Sequence, residues 1–251
     1  MPLLSHVAYV QAREAYSYGD ADVRFDIVQT GTLPHTGTFQ GVFPRIVPDT
    51  HPTGVNLRKL EAICETVFFD AATAEARRST TPAHRENIKS VACTIVHWKM
   101  VSQGGRGRVE NVRGQWTQST YRQLIRAYQH CSLSDFCIGG VRLPIASAML
   151  RFTHSNEYGI MDSRVVKRHT QPAGITTLSI RAEGNYIYDT KENAHKYCSE
   201  YIPFLRAEAN SLTAAGVTFS DIDPAGNPIR ASFRPCDIEM ALFSKQAVCF
   251  N

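Results

Sequence analysis

The 251-residue chain is 43% hydrophobic and 20% charged, with 16 Gly and 12 Pro, which excludes disordered and fibrous classes and fits a folded globular protein. Its 27 Lys+Arg against 23 Asp+Glu leave a net charge of +4, a balance that permits a nucleic-acid partner without requiring one. No apolar run approaches the roughly 18 residues of a membrane span. Met1–Gln11 lacks the basic-then-apolar layout of a secretory signal, so a cytoplasmic protein with no membrane partner is expected.

Seven cysteines stand at 64, 93, 131, 137, 198, 236 and 249, with no C-x-x-C pair among them. Zinc-ribbon and thioredoxin-type sites are therefore not expected. Free cysteine is among the most buried residue types, so reduced core thiols are the simple expectation. No metal or other cofactor is expected.

The first fifty residues do not read as helical. Val23, Phe25 and Ile27 alternate with Arg24 and Asp26 in a half-buried strand pattern. Gly31, Pro34, Gly37, Gly41, Pro44, Pro48, Pro52 and Gly54 then punctuate a long loop. Residues 1–56 are expected as an extended, strand-containing segment packed on a helical core at 57–251.

From Leu57 the period changes, with Leu60, Ile63, Cys64, Val67 and Phe68 on one helical face. A second helix is expected from Pro82 to Val101, with Thr81 as cap and Pro82 in the first turn. Gln103–Arg108 reads as a flexible basic loop. Tyr121, Leu124, Ile125 and Tyr128 mark a third helix. An irregular insertion follows at 171–189, with candidate strands at Thr176–Arg181 and Tyr186–Tyr188. Beyond it lies a long helix burying Tyr197, Tyr201, Phe204, Leu205 and Leu212. Residues 216–233 read as turn-rich, and a last helix opens at Pro235. The expected fold class is mostly α.

The segment richest in chemical content is Phe136–Phe152. A short apolar helix is expected to end at Gly139-Gly140, and a new one to begin with Pro144 in its first turn, where the missing N–H costs nothing. Ile145, Ala148, Met149 and Phe152 continue it at helical spacing. A glycine hairpin followed by a helix start lets backbone approach a phosphate, although glycine also ends many helices for packing reasons alone. Ten residues on comes Tyr158-Gly-Ile-Met-Asp-Ser-Arg164, in which Asp162 follows an apolar run and opens another helical stretch. Aspartate is a common N-cap, and a catalytic carboxylate can occupy the same position.

This arrangement resembles the helix-hairpin-helix DNA glycosylase superfamily, the group of endonuclease III and the 8-oxoguanine glycosylases. Gly140-Val141 matches the Gly-Val of that family's hairpin, Ala146 the small residue after it, and Ile160-Met161-Asp162 its Val-Asp element. Lyase members carry a catalytic lysine 18 residues before the aspartate. Here that position is Pro144 (162 − 144 = 18). Trp98-Lys99 and the stretch Arg234–Lys245 look like a bacterial branch of the group. The motif covers 136–168, and the broader resemblance 57–250.

Two departures have chemical content. Arg142 stands where the family's second hairpin glycine belongs, and an arginine there can contact phosphate. Pro144 in place of lysine removes the amine needed for Schiff-base chemistry. The four spaced cysteines of an iron–sulfur cluster are missing, so no such cluster is expected.

The resemblance implies a monofunctional DNA glycosylase that flips a base from duplex DNA, hydrolyses its glycosidic bond and leaves an abasic site. Asp162 is the catalytic candidate. Gly139, Gly140, Val141, Arg142 and Pro144 are DNA-binding candidates, with Lys99, Arg106 and Arg108 for phosphates. Trp98, Trp116, Tyr186 and Tyr188 are candidates for a base pocket; Tyr201 and Phe204 fit a core role better. Related bacterial glycosylases remove glucosylated hydroxymethylcytosine from phage genomes in anti-phage defence. The insertion at 171–189 would suit so bulky a base. The alternatives are a repair glycosylase for damaged bases, a hydrolase of small nucleosides, and a non-catalytic helix-hairpin-helix protein in which Asp162 only caps a helix. A monomer is expected.

Overall fold

Helical periodicity accounts for most of the fold. In the computed structural model, residues 4–16, 25–33, 37–43, 57–100, 106–169, 178–184 and 186–244 are described. They form α1 (His6–Glu14), β1 (Phe25–Leu33), β2 (Gly37–Phe43), α2 (Leu57–Ala76), α3 (Pro82–Met100), α4 (Arg106–Gly114), α5 (Gln118–His130), α6 (Leu143–Thr153) and α7 (Ser163–His169). Next come β3 (Ala182–Glu183), β4 (Tyr186–Ile187), α8 (Lys191–Lys196), a π-helical turn at Tyr197–Tyr201, α9 (Ile202–Ala214), β5 (Thr218–Ile222), β6 (Pro228–Ser232) and α10 (Pro235–Ser244). The strands pair two by two, β1 with β2, β3 with β4 and β5 with β6. The fold is mostly α, and none of the described helices is long and apolar enough to cross a membrane.

The chain divides into two units, Tyr18–Thr153 with Ile222–Pro228, and Met1–Ser17 with His154–Asp221 and Ile229–Asn251. We call them the hairpin unit and the aspartate unit. This division differs from the expected boundary at 56/57: the first seventeen residues share a unit with the C-terminal helices.

In the hairpin unit, Leu60, Ile63 and Phe68 of α2, Ile88, Ala92, Ile95 and Val96 of α3, Leu124 of α5 and Met149 and Phe152 of α6 are buried. Burying a side chain of this size stabilises by about 1.5–3 kcal/mol each. At the start of α3, Thr81 Oγ1 accepts from the His84 amide at 3.4 Å. Thr117 caps α5, and Cys131 ends it in the left-handed conformation (φ +49°). Across α2 and α6, Arg151 Nη2 meets Glu61 Oε1 at 2.6 Å, with both side chains almost fully buried.

In the aspartate unit, a second buried charge cluster ties α1 to α10. Arg13 Nε donates to Asp237 Oδ1 at 3.0 Å, and Arg13 Nη2 lies 3.6 Å from Asp221. The Asp237 carboxylate also accepts from the Arg234 amide and guanidinium at 3.0 and 2.8 Å, which closes the N-terminus of α10. Arg234 reaches on to Ser155 Oγ at 3.2 Å. Tyr9 completes the attachment of α1, donating to Glu208 at 2.6 Å.

Several expectations are corrected. Residues 6–14 are helical although their apolar spacing is poor: α1 buries Tyr9, Ala12 and the charged Arg13, and a buried arginine breaks the pattern that sequence periodicity relies on. Arg106 and Arg108 lie on α4 rather than in a loop, while 103–105 lie outside the described residues. The helix expected before Gly139 is only a 3-10 turn at Ser134–Phe136. Residues 218–232 form a strand pair whose turn is built by Asp223, its Oδ1 accepting from the amides of Ala225 and Asn227 at 2.8 Å. Within the insertion, 171–177 lie outside the described residues and the remainder gives only the two-residue strands β3 and β4. Cys64, Cys93 and Cys236 are buried thiols, but Cys131 and Cys137 are half-buried and Cys198 is exposed; Cys249 lies outside the described residues.

Candidate functional site

The aspartate segment is built from Tyr158 to Arg164. Asp162 precedes α7 and acts as its cap, its Oδ1 accepting from the Arg164 amide at 2.9 Å. The same oxygen accepts from Arg164 Nε at 3.2 Å. The Arg164 guanidinium lies over the Phe243 ring, 3.6 Å from its centroid, so a cation–π contact holds the carboxylate's partner in place. The Asp162 side chain is about 10% exposed. A carboxylate so held is close to dry, where its charge acts more strongly than in water.

The residues before Asp162 are fixed from α10, α9 and the π turn. Gly159 has no room for a side chain: an added Cβ would lie 2.5 Å from Leu205 Cδ1 and 3.1 Å from Glu239 Cβ. Tyr197 Oη donates to the Gly159 carbonyl at 2.8 Å and Tyr201 Oη to the Ile160 carbonyl at 2.7 Å. Both tyrosines are fully buried, and burial first, then neighbouring titratable groups, pushes their hydroxyls well above the usual tyrosine range. The rings stack at 5.8 Å. The helical spacing of these tyrosines places their rings in the core, as the structure has them; the bonds their hydroxyls make are not visible in that spacing.

The hairpin lies in the other unit. Gly139 and Gly140 both have left-handed backbone, φ +50° and +79°, and the Val141 amide closes the turn onto the Ile138 carbonyl at 2.6 Å. Two consecutive positive φ values are what a type I′ turn demands, which explains both glycines. Gly139 sits against α4, and an added Cβ would approach Val112 Cα at 3.1 Å. The hairpin therefore rests on α4, a helix whose sequence includes Arg106, Arg108 and Arg113 and one acidic residue, Glu110. Val141 is buried, Arg142 exposed and Pro144 half-buried; the Arg142 carbonyl accepts from the amides of Ile145 and Ala146, both at 2.9 Å, as α6 begins. Arg108 is half-buried, and Arg113 is exposed and paired with Glu110 at 2.9 Å.

The base-pocket candidates divide between the units. Trp98 is half-buried and packs edge-on against Phe152, 5.0 Å between centroids, and Trp116 is half-buried where α4 gives way to α5. Lys99 beside Trp98 is half-buried. Tyr186 and Tyr188, in contrast, are exposed on and just after β4, edge-to-face at 5.7 Å, with the Tyr188 hydroxyl donating to Glu183. Phe204 is half-buried on α9. No family model, curated protein or solved structure matches the chain.

Proposed function

We propose that the chain is a monofunctional DNA N-glycosylase of the helix-hairpin-helix type, with Asp162 as its catalytic carboxylate. The observation that carries the reading is the Asp162 site: a nearly dry carboxylate bound by an arginine, on a segment whose Gly159 and Ile160 carbonyls accept from a buried tyrosine pair, 18 residues (162 − 144) beyond the first turn of a helix led in by a glycine hairpin. Loss of a base develops positive charge on the sugar, as in glycoside hydrolysis. A carboxylate held near C1′ stabilises that charge and orients or deprotonates the attacking water. The hairpin amides and the arginines of α4 supply the phosphate contacts that this chemistry needs. Pro144 offers no amine, so the product is an abasic site in an uncut strand.

The preferred substrate class is a hypermodified base, glucosylated hydroxymethylcytosine of phage DNA, with damaged bases as the alternative. The resemblance and the inserted segment 171–189, on which Tyr186 and Tyr188 are exposed, are what favour it. One observation favours the non-catalytic alternative: Asp162 makes the capping bond that a purely structural aspartate would make. Asp162→Asn separates the two. Base release should fall at least about 100-fold with DNA affinity unchanged if Asp162 is catalytic, given the size of electrostatic contributions at such sites. Unchanged release would remove Asp162 from the chemistry.

A further inference from the structure

We infer that Tyr201, seconded by Tyr197, is a positioning residue that aims Asp162, an inference that rests on the catalytic reading of that aspartate. The two tyrosines bound the π-helical turn Tyr197–Tyr201. Single π turns inside helices are rare and are found frequently at functional sites. Here the turn presents two rings, 25° from parallel, on one side of the helix. Their hydroxyls reach successive carbonyls, those of Gly159 and Ile160. Two successive carbonyls caught from one helix determine the rotation of the chain as well as its position.

The other side of the segment is blocked. The Cα of Gly159 lies against Leu205 of α9 and against Glu239 and the Pro235 carbonyl of α10. Ile160 and Met161 are buried, and the next residue is Asp162. Arg164, bound to the carboxylate, is itself held over Phe243 of α10. The tyrosine hydroxyls thus act on the backbone two and three residues upstream of the carboxylate, while Arg164 acts on its oxygen. A misplacement of about 1 Å at a reacting group can cost 100-fold in rate, and loss of one of the two hydroxyl bonds should cost less.

Tyr201→Phe keeps the ring and removes the bond. With a duplex substrate that the wild type processes, its single-turnover rate should fall roughly tenfold, the order produced by a 1.36 kcal/mol change in barrier, with DNA affinity unchanged. In an Asp162→Asn background the same change should have no further effect on rate. Tyr197→Phe should act in the same direction and more weakly. Independently of activity, hydrogen exchange at the Arg164 amide, which bonds to Asp162, should quicken at least about tenfold in Tyr201→Phe, while the amides of α9 keep their protection. Equal loss of protection along α9 would mean general destabilisation and would overturn the inference, as would an unchanged Arg164 amide. A wild type that releases no base defeats the glycosylase reading instead, and the exchange measurement still decides whether Tyr201 governs the Asp162 segment.

Discussion

The hairpin and the Asp162 segment are both short turns between helices, yet they are held by opposite means. At Gly139-Gly140 the conformation is a property of the backbone: two left-handed residues and one turn hydrogen bond, set on α4. At 159–162 it is imposed by side chains, with hydroxyls reaching in from the π turn some forty residues on and the local Arg164 guanidinium on the carboxylate. On the proposed reading the contrast follows the two tasks: a turn that follows a phosphate backbone needs the close approach glycines give, and a carboxylate that must meet one carbon atom needs the orientation that supporting side chains give.

The largest effects should come from the buried charges that hold each unit. Arg151→Met leaves Glu61 charged and buried, and should cost the hairpin unit about 3–5 kcal/mol. Replacing both, Glu61→Leu with Arg151→Met, should recover most of that loss. Both tryptophans of the chain, Trp98 and Trp116, lie in this unit, so urea titration followed by their fluorescence reads the change. A double variant as unstable as the single one would show that the pair is not the cause.

Glycine replacements sharpen the contrast at the next level. Gly159→Ala forces a methyl group into Leu205 and Glu239 and should cost roughly 1–3 kcal/mol, with base release impaired through the displaced Asp162. At Gly140 an added Cβ meets nothing within 4 Å, so Gly140→Ala should cost only the left-handed strain, about 1–2 kcal/mol. Gly139→Ala should cost more, because Val112 Cα is also in the way. Thermal melts of the three variants check the order, and a Gly140→Ala as damaging as Gly139→Ala would contradict it.

How much of this was legible in the sequence follows from the same contrast. Helices α2, α3, α5 and α6 declare themselves because each carries apolar residues at helical spacing, although α6 is buried on nearly every side. The hairpin declares itself as a turn because Gly139-Gly140 stands between an apolar run and a proline that suits a first helical turn. Three features were hidden. Helix α1 is anchored by Arg13, whose burial depends on Asp221 and Asp237, more than 200 residues away. Helix α4 begins among glycines that locally favour loop. The strands β5 and β6 bury little beyond Phe219 and Ala231, too little to make a period. Asp162 was legible as a residue, but its support was not: nothing local links Ile160 to a hydroxyl at 201.

A further effect is expected in alkali. Burial raises the Cys64 thiol in the hairpin unit and the Tyr197 and Tyr201 hydroxyls in the aspartate unit. For each, the folded-state value lies above the unfolded one. The stability these neutral groups contribute is complete below the unfolded values, about 8.5 for cysteine and 10 for tyrosine, and is lost as pH rises beyond them. Urea midpoints should therefore decline from about pH 9 upward, and the decline above pH 10 should be shallower in Tyr197→Phe/Tyr201→Phe. The same slope in that double variant would mean the tyrosines are not the linked groups.

The most direct test of the central claim is base release from a panel of duplex DNAs, unmodified, damaged, and glucosylated at hydroxymethylcytosine. Each is treated with wild type or Asp162→Asn and then with alkali to cut abasic sites. Strand breaks are expected only after alkali, from wild type only, and most from the glucosylated DNA. Release from damaged DNA alone would change the substrate and keep the chemistry. No release from any of the DNAs, with binding intact, would contradict the glycosylase reading and leave a helix-hairpin-helix DNA-binding protein in its place.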